Sequence, residues 1–354
     1  MPGGEERAVD DLAWLIRTEL VEEAALLTRD SARLGATRAA AGLLAGGLAP
    51  DGVARAVRHS RARVVHAHNV HPAFGWRALA AAREAGARVV PHLHNYRLVC
   101  AIGTCFTHGE DCTRCHGRNT APGVALNCRG SRAESVVYGA ALALWQRRLA
   151  ESVDAFVVPS AFALRRLHDL GAPVDGAHVI PSVQRSFAAS SGAATGRYAL
   201  AVGRLTPEKG FADAVLACAR AGVPLVVAGE GPQLDELRSM GGDVRFTGRV
   251  SPDQLAALRR DAALAIVPSR YEEILPLAAL EAMAAGLPVV AARAGGLAEV
   301  VPAEGLYPPG DVGALTDRIA ALWSDAAAGD RALATARDLT APAVVAGALR
   351  SVYG

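Results

Sequence analysis

Residues 263–291 read ALAIVPSRYEEILPLAALEAMAAGLPVVA. Five apolar residues without polar alternation (263–267) give way to a polar loop. A helical pattern over 277–285 and a second apolar run at 288–291 follow. Runs of this kind are strands buried on both faces, and strand–helix–strand order implies parallel pairing. The alternation extends in both directions. Strands are read at Tyr198–Val202 (YALAV), 224–228 and 244–246, and helices at Phe211–Ala221, 233–239, 252–261 and 312–323. The first half repeats the pattern less regularly, with strands at 25–28, 63–66, 88–93, 155–158 and 178–180 and a long helix at 134–151. The segment 182–196 is small, polar and glycine-containing, the composition of a flexible linker. The expected fold is α/β: two doubly wound, Rossmann-like parallel-sheet domains facing a cleft, with ligands beyond the carboxyl ends of the strands. The expected divisions are residues 1–185 with a cysteine-rich insertion at 100–128, residues 196–335, and a C-terminal helix at 336–354 that packs back on the first domain.

Composition narrows the function. Of 37 basic residues 36 are arginine and one is Lys209; against 35 acids the net charge is +2. That balance excludes a polybasic nucleic-acid binder. At 51% hydrophobic and 20% charged the chain folds, and 354 residues exceed one ordinary core. No segment reaches the roughly 18 apolar residues of a membrane span, and the acidic start MPGGEERAVDDL lacks the order of a signal peptide. A cytoplasmic protein, able to associate with the inner membrane face only peripherally, is the expectation.

Three constellations carry chemistry. Gly203-Arg-Leu-Thr-Pro-Glu-Lys-Gly210 follows strand YALAV and precedes a helix. Such a junction offers free N–H groups to an anion, and Arg204 with Lys209 would clamp two phosphoryl groups. It is not a Walker A loop, and Gly229-Glu230-Gly231-Pro232 supplies only half of a dinucleotide fingerprint. Second, Glu273 and Glu281 stand eight positions apart, with Pro276 fitting the first helical position between them. The N–H groups of Leu277 and Ala278 would then be available to a phosphate, and the carboxylates to sugar hydroxyls. Third, Cys100, Cys105, Cys112, Cys115 and Cys128 fall within 29 residues. Cys112-x2-Cys115 with Cys100 and Cys128 is a Cys₄ set for a structural zinc, with Cys105, His108 or His116 as substitutes; free thiols and a redox-labile disulfide are the other readings. Cys218, on an apolar helix face, reads as core.

The segment SRYEEILPLAALEAMAAGLPVVAARAGG, with GRLTPEKG and GEGP upstream, resembles the nucleotide-binding domain of retaining glycosyltransferases of the GT-B fold, family 4. The likeness continues through FTGRVSPDQL and, in the first half, PGGEE, VVHAHN and HLHNYRLVC, so it covers essentially the whole chain. It implies transfer of a sugar, with retention, from a UDP- or GDP-type donor to an unknown hydroxyl acceptor, with no cofactor required for catalysis. By the same resemblance Arg204 and Lys209 hold the diphosphate, Glu281 bonds the ribose, Glu273 contacts the transferred sugar, and Arg249 and Val250 lie near the base; Glu230 and Gly231 are further donor-binding residues. His94 matches the family's cleft histidine, bonded to the donor sugar; nearby His66, His68, His71 and His92 read as ordinary strand-end imidazoles. Gly3 and Gly4 match its PGG loop. One departure is Ile274-Leu275-Pro276 where many members carry Phe-Gly. Another is the start: members place a strand before PGG, so the given start is expected to lie inside a longer frame, or the strand to be lost. The rivals are a nucleotide-sugar epimerase of the same architecture and a truncated, inactive binding subunit.

Overall fold

A computed structural model of the chain describes residues 4–274 and 276–354. Gly3 of the expected donor loop lies outside the described residues, and Gly4 is the first residue of the helix Gly4–Thr18. The chain divides into two compact units, Glu5–Pro181 with Ala346–Gly354, and Ser182–Val345.

The first unit carries strands β1 (Val64–His68), β2 (Arg88–His92), β5 (Val157–Val158) and β6 (His178–Val179), all parallel in the order β1-β2-β5-β6. A hairpin of two short strands, β3 (Phe106–Thr107) and β4 (Glu110–Asp111), stands apart from that sheet. Residues 346–354 return to this unit: Arg88 Nε donates to the Val352 carbonyl at 2.7 Å, and Arg350 donates to Glu19 O at 2.8 Å. The strand expected at 25–28 is absent. Residues 25–28 join no sheet, and Leu26 and Leu27 are half-exposed.

The second unit is a six-stranded parallel sheet built from β7 (Tyr198–Val202), β8 (Leu225–Ala228), β9 (Val244–Gly248), β10 (Ala262–Val267), β11 (Val289–Ala292) and β12 (Leu306–Tyr307). Its order is β12-β11-β10-β7-β8-β9, so the direction of winding reverses between β7 and β10. All six residues of β10 are buried, as the unbroken apolar run requires. Helices Phe211–Ala221 and Val312–Leu322 share the core on one face, while Leu277–Ala284 and Ala326–Thr340 share the other. Cys218 is core, its thiol pushed up to about 12 by burial. The segment read as a flexible linker is part of this unit. Ser191 N bonds Asp330 Oδ1 at 2.7 Å, Ala188 N bonds Ala284 O at 2.8 Å, and Val183 and Ala193 are buried. Its small side chains serve close packing, a use that composition does not separate from flexibility.

Two glycines set how closely the loops at the carboxyl ends approach. Gly210 has φ +67°, and a Cβ there would stand 2.1 Å from the Pro268 carbonyl oxygen at the end of β10. Gly295 has φ +56°, and its Cβ would meet the Glu273 carbonyl at 2.3 Å. Gly222 also has φ +67° but has open space around it. Gly222→Ala is therefore expected to cost about 1 kcal/mol through conformation alone, and Gly210→Ala about 1–3 kcal/mol more through the clash. Urea unfolding of the full chain checks this; equal losses in the two variants would contradict the close approach.

Candidate functional site

In an open parallel sheet the loops that diverge at the winding reversal leave a crevice at the carboxyl ends of its strands. Here the loops after β7 and β10 do so. The first, Gly203–Gly210, is tied to its neighbours by backbone bonds, Leu205 N to Glu230 O at 2.9 Å and Arg270 N to Glu208 O at 2.8 Å. It brings Lys209 Nζ to 2.9 Å from Glu273 Oε1 and 3.3 Å from the Tyr271 hydroxyl, with the Tyr271 ring centroid at 5.0 Å. Glu273 is only 4% exposed, and Ser269 Oγ donates to the same carboxylate oxygen. Burial by itself would lower the Lys209 pKa. The Glu273 charge and the Tyr271 contact outweigh it and raise the value, so the ammonium stays charged. Burial and Glu273 push Tyr271 up to about 12, keeping a neutral phenol beside them. Two of the three ammonium N–H groups are thus directed at protein partners.

Arg204 occupies the same loop in a different setting. Its side chain is 73% exposed, with the guanidinium 4.0 Å from Glu208. The helix Leu277–Ala284 starts one residue later than the proline reading placed it, with Pro276 as its N-cap. Leu277 and Ala278 are its first two residues, where backbone donors have no partner within the helix. Glu281, in the second turn, is ion-paired with Arg259, and both are largely buried. Arg249 Nε lies 3.1 Å from Glu230 Oε2, which brings the loops after β8 and β9 together beside Gly231, with Val250 following Arg249. Sequence reading missed Arg259 and the bidentate pair of Arg270 with buried Asp213, at 2.9 and 2.5 Å. With 36 arginines in the chain, neither carried a compositional signal.

His94 is found in the first unit among other imidazoles. Register pairs His66 with Val90 and His68 with His92, and alternate strand residues share a face, so His66, His68 and His92 project together. His68 Nδ1 lies 2.7 Å from His94 Nε2, His66 Nε2 3.3 Å from His92 Nδ1, and His66 Nδ1 2.7 Å from the Tyr353 hydroxyl. The three rings from β1 and β2 have ligand atoms within 4.8 Å of one another. The reading of His66, His68 and His92 as unrelated polar groups missed this cluster; the two H-x-H repeats, one per strand, were its signal.

The five cysteines of the insertion line one small cavity together with Ala101, Phe106 and Gly123, and none is in a disulfide. The Cys100 thiol is lowered to about 6, first by a hydrogen bond from Cys105 and then by backbone N–H groups of Gly103, Cys105 and Ile102, against the opposing effect of burial. Cys115 is raised to about 11 by burial.

Residues 6–182 match the model of a glycosyl transferase 4-like domain, and residues 183–338 that of glycosyl transferases group 1. Similar sequences include a glycogen synthase of Mycobacterium tuberculosis, 39% identical over 39% of this chain and 36% of that protein. Another is a GDP-mannose-dependent alpha-mannosyltransferase of Mycolicibacterium smegmatis, 30% identical over 44% of each. The alignments thus span well under half the length of these relatives. Among solved structures, HepE of Anabaena in complex with UDP and glucose aligns over 99% of this chain and 96% of its own, with TM-score 0.62 and 19% identity. Sucrose-phosphate synthase of Thermosynechococcus elongatus aligns over 86% and 76%, with TM-score 0.62 and 21% identity. The fold is GT-B. None of the described helices is long and apolar enough to cross a membrane.

Burial, and then the competition of the neighbouring imidazoles for protons, lowers His66 to about 3 and His68 and His92 well below 6.5; burial and then Arg97 lower His71 to about 4. A folded-state pKa below the unfolded one means that the unfolded chain takes up protons first as pH falls. The contribution is complete above about 6.5 and is lost toward the folded values, with a slope up to about 1.4 kcal/mol per pH unit for each histidine. Melting at pH 7.5 and 5.5 is expected to show a marked loss at the lower pH. An unchanged midpoint would contradict the burial of neutral imidazoles.

Proposed function

Because the chain belongs to the glycosyl transferase 4-like family, whose model covers half of it, we propose that it transfers a sugar from a nucleotide diphosphate sugar to an acceptor hydroxyl with retention. The observation that carries this reading is the pairing of Lys209 with Glu273 at the winding reversal, beside exposed Arg204. Cleavage of the anomeric C–O bond leaves negative charge on the diphosphate. Arg204, the remaining N–H of Lys209 and the backbone donors of Leu277 and Ala278 meet that charge where it develops. Glu273 accepts from a hydroxyl of the transferred sugar, and Glu281, held by Arg259, from the ribose. Glu230, Gly231, Arg249 and Val250 border the base, and His94 takes the sugar-bonding role of the family's cleft histidine. A UDP- or GDP-type donor suits these contacts; the mannosyltransferase relative is GDP-mannose-dependent and the HepE neighbour is in complex with UDP.

Glu273 already accepts from Lys209 and Ser269, and a carboxylate engaged by two donors is a weak nucleophile. With no covalent nucleophile in evidence, the retention that the family resemblance implies is proposed to proceed by same-face displacement, the acceptor oxygen bonding the anomeric carbon on the face that the phosphate leaves. The acceptor's proton passes to the departing phosphate oxygen, which balances the step. A binding protein without turnover would show no product, and an epimerase would convert the donor without an acceptor.

A ligand that binds only the folded state raises the melting temperature. A thermal-shift panel of UDP- and GDP-sugars is expected to give a stabilising donor whose affinity falls about tenfold or more in Lys209→Ala, measured against that variant's own baseline. Equal shifts in wild type and variant would remove Lys209 from the phosphate site, and donor conversion to an epimer would overturn transfer.

A further inference from the structure

The insertion 100–128 has little to hold it in one conformation. Its regular structure is the β3–β4 hairpin and the five-residue helix Ala121–Ala125, yet Cys100 and Cys105 are buried. What its parts share is the cavity lined by all five sulfurs. Each reaches it by a separate local device. The hairpin register Phe106↔Asp111 puts Cys105 and Cys112 at its open end, where Cys112 N bonds Cys105 O at 2.8 Å. Cys115 follows after two residues and packs on Gly123, where a Cβ would stand 3.4 Å from its Sγ. Cys128 N bonds Gly123 O at 3.1 Å, turning the chain back over the short helix.

Cys100 and Cys105 face one another in this cavity, the Cys105 thiol donating to Cys100 Sγ. Cys100 Sγ accepts from the backbone N–H groups of Ile102 and Gly103, two and three residues on, and of Cys105. The Arg166 guanidinium faces Cys105, bonds Asp111 at 2.5 Å and keeps a buried Nε without a hydrogen-bond partner. Cys100, Cys112, Cys115 and Cys128 line the cavity together with Cys105, whose thiol gives its hydrogen bond to Cys100.

We propose that Cys100, Cys112, Cys115 and Cys128 hold one zinc ion as a structural Cys₄ centre, and that Cys105 is a hydrogen-bonding neighbour rather than a ligand. Four thiolates suit zinc by softness and by its tetrahedral preference, and a filled tetrahedron leaves no open position for substrate. The ion supplies order that the segment's few apolar groups do not. The centre also reaches toward the imidazole cluster. Cys100 N bonds Tyr96 O at 2.8 Å and Tyr96 N bonds Gly103 O at 2.9 Å, and Tyr96 is two residues beyond His94. Losing the metal therefore loosens the turn that carries His94.

The test uses the full chain, purified under reducing conditions, with metal measured by mass spectrometry and zinc replaced by cobalt. About one zinc per chain is expected, and the cobalt form should show thiolate-to-cobalt charge-transfer absorption. Cys100→Ser, Cys112→Ser, Cys115→Ser and Cys128→Ser should each lose the metal, while Cys105→Ser retains it. Because a serine variant can fail to fold, wild-type protein stripped by a chelator provides the second readout. Its insertion should become open to alkylation and proteolysis, and zinc should restore protection. Metal that binds without sulfur charge transfer and is lost in His68→Ala would place it at the histidines and overturn the proposal. A metal-free chain with a protected insertion, or with these cysteines in native disulfides, would also overturn it.

Discussion

The ion pair between Lys209 and Glu273 is the interaction around which the second unit is arranged. A carboxylate as buried as Glu273 is costly unless it is paired and hydrogen-bonded, and its two partners come from different places. Ser269 is local, four residues away, but Lys209 belongs to the loop after β7, 64 residues distant. That loop meets the one after β10 only because β7 and β10 are neighbours in the sheet. Gly210 and Gly295 then permit backbone contacts that any Cβ would obstruct. Sheet order, close loop approach and charge pairing are consequently one constraint.

The remaining ionic pairs extend it. Asp213, in the first turn of the helix after β7, grips Arg270 in the loop after β10. Arg259, near the end of the helix Pro252–Arg260, fixes Glu281. Glu281 is thus held by Arg259, and Glu273 by Lys209 and Ser269, while Arg204 keeps an exposed guanidinium. In the proposed function these carboxylates are the acceptors for sugar and ribose hydroxyls, and the exposed Arg204 with the half-buried Lys209 are the cations for the diphosphate.

The second unit was the more legible in the sequence because its strands are buried on both faces. Tyr198–Val202 and Phe211–Ala221 lie where the apolar pattern places them, and β10 differs by one residue. Lys209 stood out against an arginine background, and Glu273 through its place after a strand. Their contact was not legible, since spacing along the chain carries no distance across a sheet. Residues 25–28 were misread for a related reason: a short apolar run carries no information on whether it docks on a sheet, and here it stays half-exposed. Residues 182–196 have a linker's composition, yet Asp330 and Ala284 hold them in place. In the first unit, H-x-H repeats looked like scattered polar residues until the β1–β2 register aligned them.

A crystal structure of the full chain with a bound nucleotide diphosphate tests the central assignment most directly. The account predicts a terminal phosphate oxygen within hydrogen-bond reach of Lys209 Nζ and of Arg204, about 3 Å, with the ribose hydroxyls on Glu281. A diphosphate seated away from the loop Gly203–Gly210, with Lys209 contacting only Glu273 and Tyr271, would contradict it.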